Sequence, residues 1–489
     1  MTTPGPGPSR DRGSGVPGSA AIAPPPVEFQ GRTVPSAALA DAARGWRDAV
    51  LDRVGDDGGP VALAMAHDLH TVELFFGLSA LPGPLVLLPS DPASWRTRPA
   101  LPAGTPLVLS PRLCHLAAEG VSLGLDVHAF DAVPRAGRAA RDPAFLTNAG
   151  LVMFTSGSMG MPKPVYRRME HVLGAVTARA RAYGLVPGTG TLCSLPLDKS
   201  GGINNSLMMA VVTGGRFGLV GSRSPAAILR MLASGAYGYW ATTVAVAALL
   251  TRLSDGTRVR APAFSIAQAK LSPSLAERFH ARFGSPLRSH YGTTETGAVT
   301  ANAGRAADVR HDRVGHPIPG VELFVGDDPG DPPSDAAGRI WVRSPWMMRG
   351  YGLPGSIEPR VDVDGWWPTP DVGALDADGG LAIHGRADDR IRTGSGQILD
   401  LAEVVAVLMA HPGVRDAIAV PLESGEGTVP GAMVECEGGT SADALRRHLA
   451  RALPPRYQPR VLMLTAELPR LPGGKADRRA CTVALAARL

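Results

Sequence analysis

Short apolar runs alternate with amphipathic stretches over most of this chain. Residues 61–64, 85–88 and 151–154 carry no polar position, and the second run is bounded by Pro84 and Pro89. A strand wetted on one face alternates apolar and polar residues, whereas a strand that is apolar throughout is covered on both faces. Between such runs, residues 38–54, 69–78 and 170–183 repeat apolar side chains at helical spacing. Further strands read at 218–220, 237–241 and 264–267, again with helices between them. The pattern predicts an α/β fold of parallel-rich sheets flanked by helices. Residues 314–383 differ, being turn-rich and broken by segments such as Asp327-Asp328-Pro329-Gly330, and they predict a β-rich subdomain. Beyond Gly385-Arg386-Ala387-Asp388-Asp389 follow about a hundred residues of mixed helix and strand, the size of a small domain. The predicted organisation is a disordered Gly/Pro-rich tail at 1–27, a large N-terminal domain at 28–387 and a small α+β domain at 388–489, with the boundary near Asp388.

Composition narrows the classes. A chain of 489 residues is too long for one compact core. Charged residues make up 19%, ordinary for a globular protein, and no apolar run is long enough to span a bilayer. The first residues lack the apolar core of a signal peptide, so the cytoplasm is the default compartment and no membrane is implied. Four scattered cysteines, Cys114, Cys193, Cys436 and Cys481, form neither a disulfide framework nor a zinc motif. The net charge is +5, but the basic residues are spread out and lack interleaved aromatics, so no nucleic-acid partner is implied. Only Lys163, Lys199, Lys270 and Lys475 are lysines among 49 basic residues. A chain that writes arginine almost everywhere has kept a mobile point charge at four places.

One of these lysines ends a glycine-rich loop that follows the apolar run 151–154. The segment Thr155-Ser156-Gly157-Ser158-Met159-Gly160-Met161-Pro162-Lys163 combines tight-turning glycines, hydroxyl donors and an ammonium. Backbone N–H groups in such a loop can approach an anion closely, which suits a triphosphate. The spacing is not that of the Walker loop. By composition alone a serine/glycine surface loop would read the same way.

The segment resembles the phosphate loop of the adenylate-forming superfamily, which contains acyl-CoA synthetases, adenylation domains of nonribosomal peptide synthetases and luciferases. Six further segments are similar to that family's motifs, in the family's order: His290-Tyr291-Gly292-Thr293-Thr294-Glu295-Thr296, Val314-Gly315-His316-Pro317-Ile318-Pro319-Gly320, Gly338-Arg339-Ile340-Trp341-Val342 with Met348-Arg349-Gly350-Tyr351, Gly365-Trp366-Trp367-Pro368-Thr369-Pro370-Asp371, Gly385 to Arg392, and Leu471-Pro472-Gly473-Gly474-Lys475. The resemblance covers roughly residues 35 to 480.

It implies an ATP-dependent ligase that joins a carboxylic acid to AMP, releases pyrophosphate and passes the acyl group to a thiol. Within it, Thr155, Ser156, Gly157, Ser158, Gly160 and Lys163 would hold the β- and γ-phosphates. Tyr291, Gly292, Thr293 and Thr294 would line the nucleotide, with Thr294 at the α-phosphate, and Glu295 would hold Mg²⁺. Asp371 would accept hydrogen bonds from the ribose, assisted by Arg386. Lys475 would bridge the acid's carboxylate and the α-phosphate, offsetting the repulsion of two anions. Asp388 matches the family's hinge, about which the small domain swings between two conformations. The acyl pocket would include positions around Trp240 to Thr243, Ala267-Gln268-Ala269 and His290-Tyr291. An aromatic wall at Trp240 with modest neighbours would suit a small or aromatic acid. His290 reads either as a polar contact or as a packed, hydrogen-bonded histidine.

The chain also departs from the pattern. Met159 replaces a hydroxyl residue in the phosphate loop, Pro164 the glycine after the lysine, and Pro370 the glycine before Asp371, where it stiffens the turn. Asp198-Lys199 stands where acyl-CoA synthetases carry an aromatic–histidine pair. Two readings stay open there: Asp198 receives the amino group of an amino-acid substrate, or Lys199 meets a second anionic group with Asp198 as its internal partner. The acceptor also stays open among coenzyme A, the phosphopantetheine of a separate acyl or peptidyl carrier protein, and an amine. The contrasting class is a non-catalytic nucleotide-binding scaffold, favoured by Met159 and Pro370 and opposed by the joint presence of Glu295, Asp371, Arg386 and Lys475.

Overall fold

The computed structural model describes residues 22–489 apart from 93–94, 96–100, 133, 135–143, 156–161, 222–223, 254–258, 260–262, 268–270, 272, 305–307, 333–335, 354, 360–363, 388–389, 393–397, 426, 437–438 and 471–475. The wholly apolar runs become central strands. Val61–Met65, Leu85–Pro89 and Leu151–Phe154 lie side by side and parallel in an eight-stranded sheet. Both of the first two are buried along their full length. Past Leu151–Phe154 the sheet turns antiparallel through Pro164–Arg167 and Gly350–Tyr351.

A seven-stranded sheet contains Leu287–His290, Ala263–Ala267, Tyr239–Thr242, Thr191–Cys193 and Phe217–Leu219 in that spatial order, all parallel. Val27–Phe29 joins it parallel to Phe217–Leu219, so sheet structure begins at the last residue of the predicted tail. One apolar cluster contains Leu63, Leu87 and Met153 of the first sheet and Cys193, Phe217 and Ala241 of the second. It also takes in Trp46, Phe75, Phe76, Val172 and Val176 from the helices Ser36–Val54, Leu69–Leu78 and Met169–Ala182. The opposite face of the seven-stranded sheet buries Leu192, Trp240, Phe264 and Ile266 under the helices Pro225–Ala233, Val244–Arg252 and Pro273–Phe283. Both faces are thus covered, as fully apolar strands require.

Helix starts follow from side chains that satisfy otherwise orphaned N–H groups. Asp68 accepts from the Thr71 amide and Asp477 from the Ala480 amide. The turn-rich region forms an antiparallel four-stranded meander of Glu322–Gly326, Gly338–Arg343, Trp367–Leu375 and Leu381–Arg386. Asp371 lies in a strand beside a bulge, not in the turn expected from Pro370. Two apolar clusters are built entirely from residues 391–485, around the sheet of Val414–Ser424, Gly427–Cys436 and Val461–Thr465.

Candidate active site

Three segments come together where the two large sheets and the meander deliver strand ends. The first follows Leu151–Phe154. The Thr155 amide donates to the Lys163 carbonyl at 3.0 Å, and the Lys163 amide donates to Thr155 Oγ1 at 3.1 Å. The two ends of the glycine-rich loop are therefore clasped together. Ser156, Gly157, Ser158 and Gly160 lie outside the described residues.

The Lys163 ammonium stands 5.0 Å from the Tyr351 ring centroid, within cation–π range. The Tyr351 hydroxyl donates to Glu295 Oε1 at 3.3 Å. Burial, and then the Glu295 charge, push the Tyr351 phenol up, so it stays a donor. One aromatic side chain thus ties the end of the glycine-rich loop to the carboxylate.

Glu295 itself sits at the tip of a hairpin, Gly292–Thr293 against Gly297–Ala298. Thr293 and Thr296 close this tip: each side-chain oxygen accepts from the other residue's amide, at 3.1 and 3.0 Å. Thr294 and Glu295 are half-buried between them. The tip is held from outside by the Met348 amide, which donates to the Glu295 carbonyl at 2.7 Å. Beneath it lies Arg167, 1% exposed, whose Nη2 donates to the carbonyls of Trp346 (2.8 Å) and His171 (3.2 Å). Burial lowers its pKa to about 10, so it remains a cation at neutral pH. A Cβ on Gly297, which has φ of +70°, would fall 2.5 Å from this guanidinium. Glycine is needed there both for its conformation and for the close approach.

The third contribution comes from the meander. Tyr291, fully buried, donates its hydroxyl to Asp371 Oδ2 at 2.7 Å. Burial and the Asp371 charge keep that phenol protonated. Thr369 Oγ1 receives the Asp371 amide at 3.2 Å, and Asp371 pairs in register with Arg386 on the neighbouring strand. Residues 471–475 lie outside the described residues. Their flanks are joined by a bridge between Arg470 and Ala476, and Arg470 is anchored to Asp416 (2.9 Å) and Glu435 (2.8 Å). Lys475 lies outside the described residues, as do Asp388, Gln268 and Ala269.

His290 is 3% exposed and precedes Tyr291 at the end of its strand. Asn205 Nδ2 lies 3.2 Å from Nε2, so Nε2 accepts and Nδ1–H donates to Ser265 Oγ at 2.7 Å. Burial, with Arg179 nearby, lowers its pKa to about 3. It is a neutral, packed histidine. Trp240 requires a correction. It is fully buried on the opposite face of the sheet from Ala241, Ser265 and His290, stacked edge-on against Phe264 and donating to Ser194 Oγ at 2.9 Å. It is a core residue rather than a pocket wall. Asp198 and Lys199 form an ion pair with each other at 3.0 Å.

Sequence reasoning singled out Glu295 and Lys163 but not Tyr351 as the link between them, nor the buried cation Arg167. Arg167 had a visible signal, since it occupies a strand otherwise carrying Val165 and Tyr166 next to a loop already singled out.

The family model for AMP-binding enzymes matches residues 111–352. The chain is 29% identical over 345 residues to the sulfoacetate–CoA ligase of Cupriavidus necator, covering 67% of this chain and 65% of that one. It is 27% identical over 465 residues to the 2-succinylbenzoate–CoA ligase of Geobacillus kaustophilus, covering 92% of each. Its fold matches that of the o-succinylbenzoate coenzyme A synthetase MenE from Bacillus subtilis, solved with ATP and magnesium ion, with a TM-score of 0.80 at 21% identity over 94% of this chain and 96% of that one.

Proposed function

The chain belongs to the adenylate-forming superfamily and is an AMP-forming acid ligase; from that premise we propose that it activates a small carboxylic acid as its acyl-AMP and transfers the acyl group to the thiol of coenzyme A or of a carrier protein's phosphopantetheine. The observation that carries this reading is the convergence on one place of Lys163, Tyr351 and Glu295, with Tyr291 and Asp371 beside them.

Adenylation requires a carboxylate to attack the α-phosphorus while pyrophosphate departs, so the protein must position two anions and oppose their charge. The glycine-rich loop from Thr155 to Lys163 receives the β- and γ-phosphates. The hairpin tip offers Thr294 to the α-phosphate. Asp371, oriented by the Tyr291 hydroxyl, accepts from the ribose, and Arg386 assists it. Lys475 offsets the repulsion between the entering carboxylate and the α-phosphate. The small domain from 388 onward carries Lys475 and swings about Asp388 once the adenylate exists.

Glu295 fits a Mg²⁺ ion. It is a half-buried carboxylate with one oxygen turned to Tyr351, and among the described residues it belongs to no group of three or more metal-ligating side chains. A lone hard oxygen ligand matches Mg²⁺, which takes one or two carboxylates and completes its shell with phosphates and water. When bound, the ion supplies charge neutralisation at the phosphates.

The ion pair between Asp198 and Lys199 leaves Asp198 without a free charge for a substrate amino group, so a simple acid is preferred over an amino acid. The test is thioester formation. Enzyme, Mg·ATP and an acid panel are incubated with coenzyme A or with a phosphopantetheinylated carrier, and products are read by mass spectrometry. A thioester on either thiol supports the proposal, whereas acyl-AMP that only hydrolyses or forms an amide removes the second half-reaction.

A further inference from the structure

The layer between the seven-stranded sheet and the helix Met169–Ala182 contains a buried cation that has no opposing charge among the described residues. Arg179 is 2% exposed. Its Nη1 donates to Asn205 Oδ1 and its Nη2 to the Asn204 carbonyl at 2.8 Å, both neutral acceptors, and its Nε has no hydrogen-bond partner among the described residues. No carboxylate among the described residues forms an ion pair with it. Asn205 leads on to His290 at 3.2 Å and His290 to Ser265 at 2.7 Å, again all neutral. Asn204, 5% exposed, has no partner for its Oδ1 among the described residues. An apolar acyl chain would call for leucine or valine on such a surface.

Burying a guanidinium without a counter-charge is costly even after relaxation, and hydrogen bonds to neutral amides offset only part of that cost. His290 immediately precedes Tyr291 and the Thr294–Glu295 tip in sequence, so this buried polar group continues directly into the hairpin segment. Lys199 is not the receptor, because Asp198 already takes its charge.

We propose that the acid carries a second oxyanion, a carboxylate or sulfonate remote from the reacting carboxylate, received by the Asn205 amide with Arg179 supplying the opposing charge, while His290 orients Asn205. The inference rests on the adenylation reading above and narrows its substrate to dianionic acids. Arg179 is a specificity-determining residue and takes no part in the ATP chemistry.

The test compares length-matched acids on the full chain: butanoate with succinate, pentanoate with glutarate, propanoate with sulfoacetate and benzoate with isophthalate. Acid-dependent pyrophosphate release gives kcat/KM for each. The expected result is at least a tenfold advantage of the dianion in one or more pairs for the wild type. Arg179→Met should abolish that advantage without changing the affinity for Mg·ATP, and Arg179→Lys should restore part of it. A wild type that turns over monoanions better than their dianionic partners overturns the inference and leaves adenylation standing, a result that needs no variant. Retention of the dianion preference in a folded Arg179→Met protein overturns the role of Arg179. Release with no acid of either kind overturns the adenylation reading and this inference with it.

Discussion

The Tyr291 hydroxyl offers a measurement of how far one buried hydrogen bond controls nucleotide binding. Tyr291→Phe removes a single oxygen from a fully buried ring and leaves its packing against Val299, Val314 and Ile318 intact. The lost bond is a 2.7 Å O–H donation to the Asp371 carboxylate. Hydrogen bonds to charged groups contribute roughly 1.5–3 kcal/mol. Asp371 is only half-buried, so water replaces part of that, and about 1–2 kcal/mol is expected at the site. At 1.4 kcal/mol per tenfold, the affinity for ATP should fall roughly five- to thirtyfold. Calorimetric titration of Mg·ATP into the apo protein gives this directly, and steady-state kinetics should show the rise in KM for ATP and not for the acid. The melting temperature should change little. An unchanged ATP affinity in a folded variant, or a rise in KM confined to the acid, would refute the assignment of Asp371 to the nucleotide.

Further outcomes follow from the same geometry. His290 is held neutral in the fold with a pKa of about 3, against 6.5 in an unfolded chain. Acid therefore favours the unfolded state, which alone takes up the proton below pH 6.5. Stability should fall by up to about 1.4 kcal/mol per pH unit on this account, and urea midpoints of His290→Gln between pH 7 and 5 should show a shallower slope. Glu295→Gln should lower kcat while raising the Mg²⁺ concentration needed for half-maximal rate, measured by magnesium titration at saturating ATP. Gly77 faces the helix Ser36–Val54 so closely that an added Cβ would stand 2.5 Å from the Ala43 carbonyl oxygen. Gly77→Ala should destabilise by about 1–3 kcal/mol in denaturant titration.

The strand and helix positions were legible because fully apolar runs such as 85–88 and 151–154 admit few other readings, and these ranges fall inside the observed strands. The facing of side chains was not legible. Tyr239, Trp240 and Ala241 all lie in a strand covered on both sides, so the pattern carries no information about which face each occupies. That is why Trp240 reads as a pocket wall but packs in the outer core. The candidate site was read from motifs, which carry no information about contacts. Tyr291 meets Asp371 across 80 residues and Glu295 meets Tyr351 across 56, distances over which local sequence says nothing. Arg179 and Arg181 look equivalent on a helix read from composition. Helical spacing separates them: Arg179 continues the buried stripe of Val172, Ala175 and Val176, which is the signal that could have found it.

The central claim is that this protein makes an acyl adenylate, and acid-dependent exchange of radiolabelled pyrophosphate into ATP tests it most directly. The account predicts exchange that requires both Mg²⁺ and an acid, and that falls at least a hundredfold in Lys475→Ala while the variant still binds ATP. Exchange that is absent with every acid although ATP binds, or that is equally fast without Lys475, would contradict it.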